Sequence, residues 1–142
     1  MREILRHGRI GLAFEGASRR AGVRHVFTTK DRAGGGNVSL SGGRDVETAL
    51  AERAFWSDWI GAAPADWVVG GQVHGAGVAV VGQPERGRGA LDPTQVIPET
   101  DGLVTRVPGL PLYVAVADCA AVLLFHGGET PALGAVHAGW RG

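Results

Sequence analysis

The sequence is poor in several features that mark particular classes of protein. Cysteine occurs once, at Cys119, so no disulfide can form within the chain. The 14 basic and 14 acidic residues cancel, which leaves no net field to attract nucleic acid or an anionic membrane. The longest apolar stretch, residues 110–125, is interrupted by Asp118 and is too short to span a bilayer comfortably. We therefore expect no disulfide framework, no nucleic-acid partner and no membrane partner.

The N-terminal segment also lacks the pattern of a secretory signal. Charges at Arg2, Glu3 and Arg6 interrupt it, so it has no apolar central region. We expect a cytoplasmic protein on this basis. A length of 142 residues is enough to enclose one hydrophobic core. The sequence therefore predicts a single domain covering residues 1–142.

Glycine is abundant, with 24 residues, and its clusters indicate short elements joined by tight turns. One convincing helix is predicted at residues 45–60, with Asp45 as its N-cap and Gly61 as its end. Its predicted apolar stripe consists of Val46, Leu50 and Ala54. Strand patterns occur at residues 10–14, 24–28, 67–69, 78–81, 112–116, 121–125 and 133–136. The segment 84–98 is a long loop, which we expect to lie over a functional site.

Three residues that can bind a transition metal lie where predicted extended segments end. Cys119 and His137 each follow a strand pattern, and His74 precedes a glycine after a short apolar segment. Side chains at neighbouring strand ends can converge on one point. Two imidazoles and one thiolate are a ligand set for zinc that leaves a fourth position open, as in catalytic zinc sites. Water or substrate can occupy that position.

The spacing alone leaves other interpretations of these residues open. Cys119 is equally compatible with a buried apolar side chain or with a nucleophile. Copper ranks below zinc, because the sequence contains no His-X-His pair and its only methionine is Met1. Gln72 could replace methionine as an axial copper ligand. The remaining histidines lie in unremarkable surroundings: His7, His25 and His126.

Several polar residues near these three have two interpretations each. Arg141 lies in a segment rich in glycine, and its guanidinium could hold a phosphate or a carboxylate through two parallel hydrogen bonds. The alternative is a surface turn with an ion pair. Asp118 and Asp101 could each orient an imidazole ligand or cap a turn.

Four ordered motifs carry a resemblance to a known family. They are GQVHG at residues 71–75, TDGLVT at 100–105, ADCAAVLL at 117–124 and HAGWRG at 137–142. In order and spacing the chain resembles the polyphenol oxidase or laccase-domain family, also called YfiH-like, whose members are regarded as purine nucleoside phosphorylases. The similarity covers nearly the whole chain.

The resemblance implies a fold, a metal site and an activity. The implied fold is α+β, a mixed β-sheet sandwich with flanking helices. His74, Cys119 and His137 become zinc ligands and catalytic residues, and Arg141 becomes an anion holder. The implied reactions are phosphorolysis of adenosine, inosine or methylthioadenosine and hydrolytic deamination of adenosine. Purine nucleoside and phosphate are then the expected partners.

One difference from the family accompanies the resemblance. Family members continue beyond the HAGWRG motif, whereas this sequence stops at Gly142. We therefore expect a fold that is incomplete at its C-terminus, with self-association or pairing with a missing C-terminal segment. The alternatives are a metal-free Cys-His thiol hydrolase, a copper-dependent polyphenol oxidase and an inactive truncated binding domain.

Overall fold

The computed structural model describes residues 1–16, 22–30, 36–42 and 45–140. The chain forms two compact units, Met1–Pro64 and Ala65–Gly142, and each is described by itself. The single domain expected for residues 1–142 stays a prediction. Among the described residues, no helix combines the length and the apolar character needed to cross a membrane.

The first unit contains an antiparallel sheet of three strands. In spatial order they are β1 (Arg2–Arg6), β2 (Arg9–Ala13) and β3 (Phe27–Thr28). The turn between β1 and β2 uses His7 and Gly8, both at positive φ (48° and 81°), the conformation that favours a two-residue hairpin. Strand β1 was not predicted, because only Ile4 of its five residues is buried and the charged residues around it obscure the alternation.

The predicted helix is confirmed as α1, Val46–Ile60. The Asp45 side chain accepts hydrogen bonds from the backbone N–H groups of Glu47 and Thr48. Gly61 ends the helix at φ 72°, and its N–H donates to the Ser57 carbonyl. Both ends therefore satisfy backbone groups that a helix leaves unpaired.

The buried face of α1 differs from the predicted stripe. Val46 is 45% exposed, and Ala54 is also exposed. The buried face consists of Ala49, Glu52, Arg53, Trp56 and Ser57. These five positions follow the helical repeat, but a search for apolar residues cannot reveal them because one is a glutamate and one is an arginine.

Polar partners make the burial of these charges tolerable. The Arg9 Nε donates to Glu52 Oε1 at 2.7 Å. The Arg53 Nε donates to the Val38 carbonyl, also at 2.7 Å. Buried charges remain in folded proteins when they are paired in this way.

The pairing of Glu52 should be measurable as stability. We expect Glu52→Gln to lower the free energy of unfolding by about 1–3 kcal/mol, because the group that accepts the hydrogen bond from Arg9 loses its negative charge. Urea denaturation measures the change. Glu47→Gln on the exposed face of the same helix is the control and should change stability much less. Equal effects of the two variants would contradict this role for Glu52.

The second unit contains two sheets. The smaller sheet pairs β4 (Val68–Val69) in parallel with β7 (Leu112–Tyr113). The larger sheet has four strands in the order β5 (Val78–Val81), β6 (Gly102–Thr105), β9 (Ala132–Ala138) and β8 (Ala120–His126). Strands β5 and β6 are parallel, and the other two pairings are antiparallel. The described residues therefore form a mixed α and β structure, as expected.

A small apolar core joins the two sheets of this unit. Val68 of β4 packs with Val81 of β5 and Leu103 of β6, and Leu110 completes the buried cluster.

Among the strands of this unit, the predicted strand at residues 78–81 is confirmed in full as β5. Residues 112–116 and 67–69 form shorter strands than predicted, and 121–125 and 133–136 lie within longer ones. Strand β6 was missed, because its four residues were read only as part of a motif.

The segment 84–98 borders the strand that leads toward His74. It contains 3-10 turns at Gln83–Glu85 and Pro93–Gln95. The Val69 N–H donates to the Arg88 carbonyl at 2.9 Å, and the Ile97 N–H donates to the Val69 carbonyl at 3.0 Å. The segment thus supports β4 and its continuation. Its expected position over the site stays a prediction.

Candidate metal centre

The second unit brings His74, Cys119 and His137 together. The ligand atoms of the three side chains all lie within 4.8 Å of one another. The two imidazole rings are nearly perpendicular, at 87°, with their centroids 4.7 Å apart. His137 is buried, Cys119 is half-buried and His74 is exposed. The group is therefore anchored in the sheet on one side and open to solvent on the other.

His137 is held by strand pairing and by a buried carboxylate. It lies on β9 opposite Ala121 of β8, and its backbone N–H donates to the Asp101 carbonyl at 2.8 Å. The His137 Nδ1 lies 2.8 Å from Asp101 Oδ1. An ionised carboxylate only accepts hydrogen bonds, so Nδ1 is the donor in this contact, and in a neutral ring with this tautomer Nε2 is the acceptor. Nε2 is the ring atom that can bind a metal.

His74 lies in a loop that wraps around the same carboxylate. Its backbone is left-handed, with φ 59°, which is uncommon for a residue other than glycine. Its N–H donates to Asp101 Oδ1 at 3.0 Å, while Val73 and Gly75 donate to Oδ2 at 3.1 Å and 3.0 Å. Three consecutive amide groups therefore surround one acidic side chain.

These contacts keep Asp101 ionised. Its burial raises the pKa, but hydrogen bonds from Gly75, from the His137 ring and from the other two amides outweigh this and bring the pKa to about 2. Asp101 is 2% exposed. The contacts of Asp101 combine the two roles that the sequence leaves open, because the carboxylate caps the turn at residues 73–75 and also orients the His137 imidazole.

Cys119 lies immediately before β8, which begins at Ala120. Partial burial raises the pKa of its thiol, and the neighbouring Asp118 carboxylate raises it further through its charge and a long Sγ–Oδ1 contact of 3.8 Å. A raised pKa makes a thiol a poor nucleophile at neutral pH. A metal cation at the sulfur would have the opposite influence, because a coordinated thiol is deprotonated.

Gln72 ties the segment before Cys119 to the segment that holds His74. Its Nε2 donates to the Ala115 carbonyl and its Oε1 accepts from the Ala115 N–H, both at 2.7 Å. Both ends of the amide are therefore engaged by backbone. The role of Gln72 as an axial copper ligand stays a prediction, and the Ala115 N–H engages one lone pair of its oxygen.

This double hydrogen bond predicts a specific sensitivity. We expect Gln72→Glu to lower the free energy of unfolding by about 1–3 kcal/mol, since a carboxylate oxygen would face the Ala115 carbonyl without a proton between them. If the group holds a metal, the affinity for that metal should fall by about 10-fold, because the Cys119 segment is held less firmly. Urea denaturation and a competition titration measure the two effects. Gln95→Glu on the exposed turn is the control, and equal losses in both variants would rule out this role.

Other residues singled out in the sequence have other contacts or lie beyond the described structure. Arg141 lies outside the described residues, so its role as an anion holder stays a prediction. The buried His25 accepts a hydrogen bond at Nε2 from the Phe14 N–H at 2.7 Å and packs on the Phe14 ring. His126 is exposed at the end of β8. Within the described ranges, His74, Cys119 and His137 are the one group of three or more His, Cys, Asp or Glu side chains that could hold a metal.

Comparisons with known proteins show the family to which the chain belongs. A family model described as multi-copper polyphenol oxidoreductase laccase matches residues 18–142. The chain belongs to this family. Laccase-family relatives include the purine nucleoside phosphorylase YlmD of Geobacillus stearothermophilus, which is 33% identical over 129 residues, covering 91% of this chain and 47% of the relative. A purine nucleoside phosphorylase of Mycobacterium tuberculosis is 40% identical over 129 residues, covering 84% and 47%.

A solved structure extends the similarity to the fold of the family. The hypothetical protein YfiH of Bacillus licheniformis has a TM-score of 0.85 and 27% identity, covering 99% of this chain and 53% of that one. The fold of the laccase family predicted from the four motifs is therefore confirmed. The chain spans about half the length of the curated relatives it matches.

Proposed function

We propose that His74, Cys119 and His137 hold one zinc ion and that this centre acts on purine nucleosides. The convergence of the three ligand atoms within 4.8 Å is the observation that carries the proposal. Two family relatives named purine nucleoside phosphorylases support the substrate class. A cytoplasmic location belongs to the same proposal.

The donor set fits zinc in both chemistry and spacing. Tetrahedral zinc with nitrogen and sulfur ligands places neighbouring ligand atoms roughly 3.3–3.6 Å apart. The ligand atoms of this group lie within 4.8 Å of one another, which is close to that spacing. Copper fits less well, because the sequence has no His-X-His pair and its only methionine is Met1. The residues of this chain therefore give little support to copper, the metal named in the family description.

The residues divide the work of the proposed site. A zinc ion, when bound, supplies a Lewis acid and lowers the pKa of water in its open position. His137 is kept in one tautomer by Asp101, and the exposed His74 leaves one side of the group accessible to substrate. Arg141 would hold the phosphate that attacks the sugar in phosphorolysis. The proposed substrates are adenosine, inosine and methylthioadenosine, with deamination of adenosine as a second reaction.

A product assay with two arms tests the proposal. The chain is loaded with zinc and incubated with adenosine or inosine, with and without phosphate, and YlmD of G. stearothermophilus serves as the positive control. Adenine or hypoxanthine formed only with phosphate supports phosphorolysis, and inosine formed from adenosine without phosphate supports deamination. If the zinc-loaded chain yields none of these while the control is active, the activity does not belong to these residues by themselves. The inactive binding domain is then the better description.

A second candidate function has one observation in its favour. Asp101 lies in contact with the His137 ring, and the Cys119 sulfur lies within 4.8 Å of that ring's ligand nitrogen, an arrangement similar to a triad of acid, base and nucleophile. The raised pKa of the Cys119 thiol argues against this thiol hydrolase. Metal content separates the two functions. Purified protein with about one zinc per chain supports the metal centre, whereas metal-free protein that iodoacetamide modifies rapidly at Cys119 supports the hydrolase.

A further inference from the structure

Asp101 makes more contacts with the proposed ligands than any role as a turn cap requires. Its Oδ1 accepts from both the His74 N–H and the His137 Nδ1, at 3.0 Å and 2.8 Å. Its Oδ2 accepts from the two residues that flank His74. Its backbone carbonyl accepts the His137 N–H at 2.8 Å. Asp101 thus contacts the ring of one proposed ligand, His137, and the backbone of the other, His74.

We propose that Asp101 is a positioning residue that joins His74 and His137 into one preformed metal site. The inference rests on the proposed zinc centre and adds what organises it. The same oxygen accepts from the His137 ring and from the His74 backbone, so one side chain fixes the ring of one ligand and the backbone position of the other. The two histidines are therefore held in a fixed mutual arrangement before a metal arrives.

The scaffold around Asp101 gives it little freedom to move. It is 2% exposed, and β6 begins at the next residue, Gly102. Its backbone N–H donates to the Gly77 carbonyl at 2.9 Å. Because backbone hydrogen bonds fix the position of this carboxylate, it can hold metal ligands with the precision that a metal site needs.

Only aspartate satisfies all the donors at this position. Asparagine has one oxygen, so its NH2 group would face either the His137 Nδ1–H or the amide N–H groups of Val73 and Gly75. Each choice sets donor against donor in a buried place, which costs the hydrogen bond and the desolvation of both groups. Glutamate adds a methylene to a side chain that is 2% exposed, which would force its neighbours to move.

The variant Asp101→Asn tests the proposal by zinc affinity. Titration against a chromophoric chelator, with zinc alone as the probe, should give a dissociation constant about 10- to 100-fold weaker than that of the wild type. The exposed Asp92→Asn is the matched control and should bind as the wild type does. An affinity within twofold of the wild type in folded Asp101→Asn would overturn the role.

A measurement on the unsubstituted chain covers the case in which the variant does not fold. Nitrogen-15 NMR of the metal-free wild type reports the tautomer of each imidazole. We expect His137 to carry its proton on Nδ1 before zinc is added. A His137 proton on Nε2 would contradict the proposal. Because neither readout uses nucleoside, an inactive chain that nevertheless meets both expectations would refute the proposed reaction and leave the role of Asp101 standing.

Discussion

Replacing Cys119 by alanine is expected to remove stoichiometric zinc from the protein. The sulfur is the only anionic ligand of the three, and it supplies the charge that a divalent ion needs most. Loss of a residue that only supports a zinc ligand weakens binding by about 10- to 100-fold, so loss of the ligand itself should cost at least about 100-fold. Metal analysis after gel filtration should find about one zinc per wild-type chain and almost none in the variant.

A matched histidine separates coordination from general damage. His126 lies at the exposed end of β8, six positions from the start of the strand that Cys119 precedes, and His126→Ala should keep its zinc. Phosphate-dependent release of base should disappear in Cys119→Ala and persist in His126→Ala. Full zinc occupancy in Cys119→Ala would show that the zinc is bound elsewhere.

Replacing Gly77 by alanine is expected to have the largest effect on stability in the second unit. A Cβ at this position would collide with the backbone carbonyl oxygen of Glu99, which cannot rotate away as a side chain can. The Gly77 carbonyl also accepts the N–H groups of Asp101 and Gly102, at 2.9 Å and 3.0 Å. Relief of the collision must therefore displace Asp101. We expect a loss of about 3 kcal/mol in the free energy of unfolding together with weaker zinc binding.

Gly75 provides a control from the same loop. A Cβ there would meet Val73 Cγ2 at 3.4 Å and Asp101 Oδ2 at 3.6 Å, which are ordinary contacts. Gly75→Ala should change the free energy of unfolding by less than about 1 kcal/mol. Urea denaturation and zinc titration of the two variants make the comparison. Similar behaviour of both would mean that the close approach at Gly77 does not organise the site.

Local chemistry allowed much of the helix and of the candidate site to be predicted. Asp45 and Gly61 mark the ends of α1 because capping depends on one side chain and one backbone conformation. The buried face of that helix could not be predicted in the same way. Glu52 is buried because Arg9, 43 residues away, contacts it, and no local pattern contains that partner.

The sequence by itself was enough to nominate His74, Cys119 and His137, because their side-chain chemistry is rare in the chain and each follows an extended segment. It also held the four motifs by which the family is recognised. Only the tertiary structure decided the parts played by Asp101 and Gln72. The sequence leaves two roles open for Asp101 and offers only a ligand role for Gln72, whereas the contacts of both depend on which donors and acceptors face them. Those partners come from strands and loops 26 to 43 residues away, and burial is what makes each hydrogen bond obligatory.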